Sequence, residues 1–75
     1  MRYPNNIRQL GTNIKSIRKK RGMSQKQLAD DSGIERRVLQ RLEYGEGGPT
    51  LDTLLAIYHA LGTTVDELFK DVFDE

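Results

Sequence analysis

Four glycines, at 22, 33, 45 and 62, divide this chain into segments in which apolar residues return every three or four positions. That spacing keeps one face of an α-helix apolar, and glycine is the residue that most readily ends a helix in a left-handed turn. The strict apolar–polar alternation of strands, rich in β-branched residues, is absent. The sequence therefore reads as all-α, a compact bundle of five short helices.

The first helix is expected over roughly 6–21, with Ile7, Leu10, Ile14 and Ile17 in one stripe, Asn6 as N-cap and Gly22 after the last turn. Gly11 inside it costs about 1 kcal/mol against alanine, which marks a close backbone approach. A second helix, about 25–31, opens on the capping pattern Ser24-Gln25-Lys26-Gln27, turns Leu28 and Ala29 inward and stops at Gly33. The third, about 35–44, puts Ile34, Val38 and Leu42 on one face with Leu39 beside them. After the loop Glu46-Gly47-Gly48-Pro49, Thr50 caps a fourth helix whose Leu51, Leu54, Leu55, Tyr58 and Leu61 point inward. Thr64-Val65-Asp66-Glu67 opens a last helix, about 65–73, with Val65, Leu68, Phe69, Val72 and Phe73 at helical spacing.

Seventy-five residues make a single domain, 1–75, with no room for a second core. Such a chain is marginal by itself, so added stability has to come from helix packing or from oligomerisation. With no cysteine there is no disulfide and no thiolate metal site, and a reducing cytoplasm is the expected compartment. His59 is the only histidine and reads as a surface residue, so neither a metal nor another cofactor is expected. No stretch approaches the ~20 apolar residues that span a bilayer, and the first residues lack the apolar run of a signal peptide. No membrane association is expected. There is no phosphate loop and no nucleophile–base pair, and Asp66 and Glu67 stand in a first helical turn, where acids suit the dipole. The chain is read as a non-enzyme.

The net charge of +1 conceals a division. Residues 1–45 carry eleven Lys/Arg against four Asp/Glu, +7, while residues 46–75 carry one against seven, −6. One end suits a polyanion and the other avoids it. Within the basic half, residues 24–45 have the form cap, short helix, glycine turn, second helix, which is the helix-turn-helix pattern. On the second of these helices Arg36, Arg37, Gln40, Arg41 and Tyr44 recur on the side away from Ile34, Val38 and Leu42. Arginine bonds guanine O6 and N7 in parallel, and glutamine does the same to adenine N6 and N7. The face holds the side chains that major-groove reading needs.

The segments Leu10-Gly11, Ile14-Lys15-Ser16-Ile17-Arg18 through Gln27-Leu28-Ala29, Ser32-Gly33-Ile34, Leu39-Gln40-Arg41-Leu42-Glu43-Tyr44-Gly45, Pro49-Thr50-Leu51 and Leu61-Gly62 through Leu68-Phe69 resemble the phage-repressor (Xre, Cro-type) family of helix-turn-helix regulators. The similarity covers about residues 7–69. It implies a lambda-repressor-like five-helix bundle and a sequence-specific DNA-binding transcriptional regulator, a repressor by expectation. By the same resemblance Gln25 touches a phosphate and braces a recognition side chain, Arg36, Arg37 and Arg41 with Gln40 beside them face bases, and Ser24 and Tyr44 contact the DNA backbone. Lys26 is expected on a phosphate. Arg18 and Glu43 are expected to pair across the first and third helices. Three departures stand out. Glu35 replaces the usual Ser or Thr cap, Val38 replaces a small polar residue and implies an apolar contact such as a thymine methyl, and loop 46–48 lacks basic residues.

Val72 and Phe73 lie past the resembling segment, and with Phe69 they give the last helix an apolar stripe that little remaining chain can cover. A homodimer through Phe69, Val72 and Phe73 is expected, on double-stranded DNA with a pseudo-palindromic operator. Asp71, Asp74 and Glu75 put acid at that end. Two other readings stay open: an antitoxin or restriction–modification controller answering to a protein partner, and a protein-interaction bundle that does not bind DNA.

Overall fold

Pro4 opens α1 (Pro4–Lys20) at a first position, where the missing N–H costs nothing. The helix thus begins ahead of the expected Asn6 cap, and no side chain caps it. It is followed in the computed structural model, which describes residues 2–73, by α2 (Gln25–Ser32), α3 (Arg36–Glu43), α4 (Leu51–Leu61) and α5 (Val65–Leu68). Asp74 and Glu75 lie outside the described residues.

The ends of the first three helices share one device. At the end of α1, Gly22 takes φ +70° and its N–H reaches the Lys19 carbonyl at 3.0 Å, while the Met23 N–H returns to the Arg18 carbonyl at 3.0 Å. Two orphan carbonyls are satisfied in one turn. The same pair of bonds ends α2 through Gly33 and Ile34, and α3 through Gly45 and Glu46. The starts follow the capping pattern at three sites: Ser24, Thr50 and Thr64 accept from the backbone N–H of Gln27, Thr53 and Glu67. Glu35 at the start of α3 makes no such bond.

Leu10, Ile14 and Ile17 of α1, Leu28 and Ala29 of α2, Leu39 and Leu42 of α3, Ile57 and Leu61 of α4, then Leu68 and Val72 form the core. α2 packs on α4 and on α3, and α1 crosses α3 and α5. The α1–α3 crossing is close enough that a Cβ on Gly11 would stand 2.1 Å from the Leu42 carbonyl oxygen. The glycine in mid-helix marks the approach that its sequence position implied.

Four expectations are corrected. Leu51 and Leu55 face solvent, Leu51 at 72 % exposure, and the buried residue between them and Leu61 is Ile57. α4 is apolar over more than one face, so periodicity could not choose which part meets α2. Val38 is 43 % exposed, because it lies about 100° round the helix from the buried Leu39, beside loop 46–49. The last helix is helical only over Val65–Leu68 rather than to 73, and the chain then turns, with Asp71 at φ 62°. Val72, expected at an interface, is 4 % exposed and belongs to the core. The physical reason lies on α1. The Asn13 side chain donates to the Leu68 and Lys70 carbonyls at 2.8 Å each, and the Asn6 side chain donates to the Val72 carbonyl. The Leu68 carbonyl is thereby satisfied from α1 in place of the bond a longer helix would give it, and the terminal turn is drawn onto α1.

Gly11→Ala is expected to destabilise the protein by about 3 kcal/mol or more, since the new methyl meets fixed backbone. Gly22→Ala meets nothing within 4 Å and should cost only the about 1–2 kcal/mol of its left-handed conformation. Urea unfolding of both variants is the measurement, and equal losses would mean that the α1–α3 contact can slacken.

Candidate nucleic-acid interface

α3 buries Leu39, Leu42 and Glu43 and turns the rest of its side chains outward. Arg36, Arg37 and Arg41 are exposed, and Gln40 is half-buried on the side facing α2. Among the described residues no carboxylate pairs with Arg36 or Arg37, and Arg41 only approaches Glu46, at 4.0 Å with both side chains exposed. Such a contact contributes little in water, so all three guanidinium groups remain available to an anion.

What holds this helix is a polar network at its inner end. Arg18 of α1 is 7 % exposed and Glu43 is 9 % exposed. Arg18 Nε and Nη2 donate to the two carboxylate oxygens of Glu43 at 2.7 and 3.0 Å, and Nη1 donates to the Met23 carbonyl at 3.0 Å. The geometry is the two-pronged match that guanidinium and carboxylate make best. Gln25, the first residue of α2, donates through Nε2 to Glu43 Oε1 at 3.1 Å. Its own Oε1 accepts from Gln40 Nε2 at 3.4 Å. A chain of contacts therefore runs from α1 through Glu43 and Gln25 to Gln40, on the outward side of α3. The pairing of Arg18 with Glu43 is present, and Gln25 contacts Gln40 on α3.

Ser24 and Lys26 flank Gln25 at the exposed start of α2. The Ser24 hydroxyl is engaged as the cap, and Lys26 pairs with Asp30 at 3.0 Å with both side chains largely exposed. That i,i+4 pair is worth only about 0.3–0.5 kcal/mol, so Lys26 can leave it for a phosphate. Tyr44 stands at the C-cap of α3 and is 74 % exposed. Ser24, Gln25, Lys26, Arg36, Arg37, Gln40, Arg41 and Tyr44 thus all lie on α2 and α3 or their caps. Lys20 and Arg21, counted in the basic half, are occupied elsewhere. They pair with Glu67 at 3.1 and 3.4 Å, and a hydrogen bond from Thr63, followed by Lys20, holds the Glu67 carboxyl below its ordinary range.

A second surface lies on α4 and the C-terminal turn. Leu51, Leu55, Val65 and Phe73 are exposed, Phe73 at 74 %. Phe69 is half-buried and stacks on Phe73, ring centroids 5.9 Å apart. Beside them an open groove of about 700 Å³ runs between Tyr3, Ile7, Leu54 and the two phenylalanines. Of the three residues expected to cover a partner, Phe69 and Phe73 are on this surface and Val72 is not. The contributions of Leu51 and Leu55 were missed, although the excess of apolar residues round α4 was the signal for them.

The helix-turn-helix family model matches residues 14–68. The control protein C.SmaI of Serratia marcescens is 39 % identical over 59 residues, covering 79 % of this chain and 70 % of that protein. The immunity repressor of Bacillus phage phi105 is also 39 % identical over 59 residues, 79 % of this chain but 41 % of the repressor, so the chain spans well under half of that relative. Among solved structures, the restriction-modification controller protein C.AhdI of Aeromonas hydrophila aligns with a TM-score of 0.79 at 30 % identity, over 84 % of this chain and 96 % of that one.

Removing one member of the buried pair leaves the other charge without its partner. Arg18→Met or Glu43→Leu is expected to cost about 3–5 kcal/mol, and the two together less than the sum of the single losses. Denaturant unfolding of the four proteins gives the coupling energy. A value near zero would separate α3 from α1 energetically and remove the pair as the support of the exposed face.

Proposed function

This chain belongs to the helix-turn-helix family of phage repressors and controller proteins, and from that premise we propose that it regulates transcription by binding operator DNA, with α3 in the major groove. The observation that carries this reading is the outward face of α3, where Arg36, Arg37 and Arg41 stand exposed and Gln40 is braced by Gln25. The guanidinium groups are suited to guanine edges and Gln40 to adenine. Ser24, Lys26, Tyr44 and the free N–H groups at the start of α2 supply the phosphate grip that fixes register. Repression follows where such a site overlaps a promoter. The compartment is the one that holds the DNA, the cytoplasm of a cell without a nucleus, and no catalytic step is part of the role.

A narrower version, control of a restriction–modification operon, is favoured by the matches to C.SmaI and C.AhdI, the second over nearly the whole of that chain. An antitoxin would use the same groove-reading face and add a protein partner. A bundle acting only on proteins would leave the three exposed arginines without a task.

The working unit is a homodimer. One copy reads only a few base pairs, and a two-fold pair doubles the site. The apolar surface of Leu51, Leu55, Val65, Phe69 and Phe73 is the face that a second copy would cover. Burying ~100 Å² on each exposed ring contributes about 2.5 kcal/mol. The two α3 helices would then sit about 34 Å apart, one DNA turn, over a pseudo-palindrome.

Selection of bound duplexes from a random pool, then titration at two salt concentrations, tests the DNA reading. Arg37→Ala or Arg41→Ala should lose about 1–3 kcal/mol on the selected site and relax one base-pair preference. Lys26→Ala should weaken all sequences alike. Unchanged affinity in both arginine variants would show that the face is misassigned.

Sedimentation at tens of micromolar tests the dimer. The expected result is a dimer that Phe73→Asp converts to a monomer with weakened operator binding. A wild-type protein that sediments as a monomer, with operator binding unaffected by Phe73→Asp, would end the dimer proposal.

A further inference from the structure

Val38 is the one aliphatic side chain exposed on α3, and the geometry points to a role for it in reading the C5 methyl group of a pyrimidine. The inference rests on the placement of α3 in the major groove. Round the helix, Arg37 and Arg41 form the outward ridge, Gln40 flanks it on the α2 side, and Val38 flanks it on the side of loop 46–49. Val38, Arg41 and Leu42 line a shallow notch of about 260 Å³ with Glu46, Gly47, Gly48 and Pro49. Leu42, 3 % exposed, and Pro49, half-buried, give that notch an apolar side. Val38 itself is 43 % exposed, and its β-branched side chain is held to a narrow choice of rotamers in a helix. It presents fixed methyl groups to the groove at little cost in entropy.

Polar groups on the base edges gain nothing from such a surface. The apolar group that B-DNA offers in the major groove is the thymine C5 methyl, and 5-methylcytosine carries the same group on a C·G pair. The chemical class recognised is therefore a C5-methylated pyrimidine. A face that reads guanine and adenine through arginine and glutamine thereby gains a response to the opposite strand, and to cytosine methylation within the operator.

The test uses the duplex selected by the wild-type protein. Replacing each thymidine singly by deoxyuridine removes only the methyl group. At one position per half-site the wild type should bind about fourfold more weakly, the burial of one methyl-sized group at about 0.8 kcal/mol. At that position 5-methylcytosine should bind more tightly than cytosine. Val38→Ala, a truncation of an exposed side chain, should bind the methylated and unmethylated duplexes alike. A methyl dependence that persists in Val38→Ala, or none at any position in the wild type, overturns the inference while leaving groove binding intact. Failure to select any duplex overturns both it and the DNA reading beneath it.

Discussion

Glu43 sits in the last turn of α3, and where its carboxylate is held decides what the rest of that helix presents. Arg18 reaches across from α1 and occupies both carboxylate oxygens, in a setting from which water is nearly excluded. A buried pair of this kind is a weak source of net stability, because taking two ions out of water costs several kcal/mol apiece, and its use lies in fixing geometry. Alternative rotations of α3 would leave both charges unpaired. Gln25 and then Gln40 take their positions from the same carboxylate. The order of the outward face is thereby inherited from an interaction on the inward one.

The glycines serve the same geometry. Only a residue without a Cβ allows α1 to lie against the Leu42 carbonyl, and a Cβ on Gly45 would stand 2.9 Å from the Arg8 Cα. With the backbones this near, the ion pair closes at 2.7 Å. The short helices leave few buried apolar side chains, and α4 keeps part of its apolar surface exposed instead of adding it to the core. Leu51, Leu55, Val65 and Phe73 carry much of the exposed apolar area.

Electrostatics is divided along the same lines. Among the described residues Arg36 and Arg37 of α3 pair with no carboxylate and Arg41 reaches Glu46 only at 4.0 Å, whereas Lys20 and Arg21 at the end of α1 share Glu67. Thr63 and the two cations favour the ionised carboxylate, which offsets one of the two positive charges at this corner. Two of the cations counted in the basic half thus lie beside Glu67 and not on α3.

Helix number, the glycine turns, the caps at Ser24, Thr50 and Thr64 and the basic face of α3 were legible in the sequence, because each depends on residues within one or two turns of one another. A left-handed glycine, a capping threonine or an arginine every three or four residues acts locally and leaves a local signature. The pairing of Arg18 with Glu43 was legible only by resemblance, since nothing in the spacing of residues 25 positions apart requires contact. Three features were decided by the tertiary structure alone. Which of the apolar residues of α4 are buried depends on the side from which α2 approaches. Whether Val38 joins the core or the surface depends on which sides of α3 its neighbours cover. The fate of Val72 depends on Asn6 and Asn13, more than fifty residues away, whose amides take the carbonyls of the terminal turn and end a helix that periodicity would have continued. Periodicity reports how much of a helix is apolar; the direction from which a neighbour arrives decides which part of it is inside.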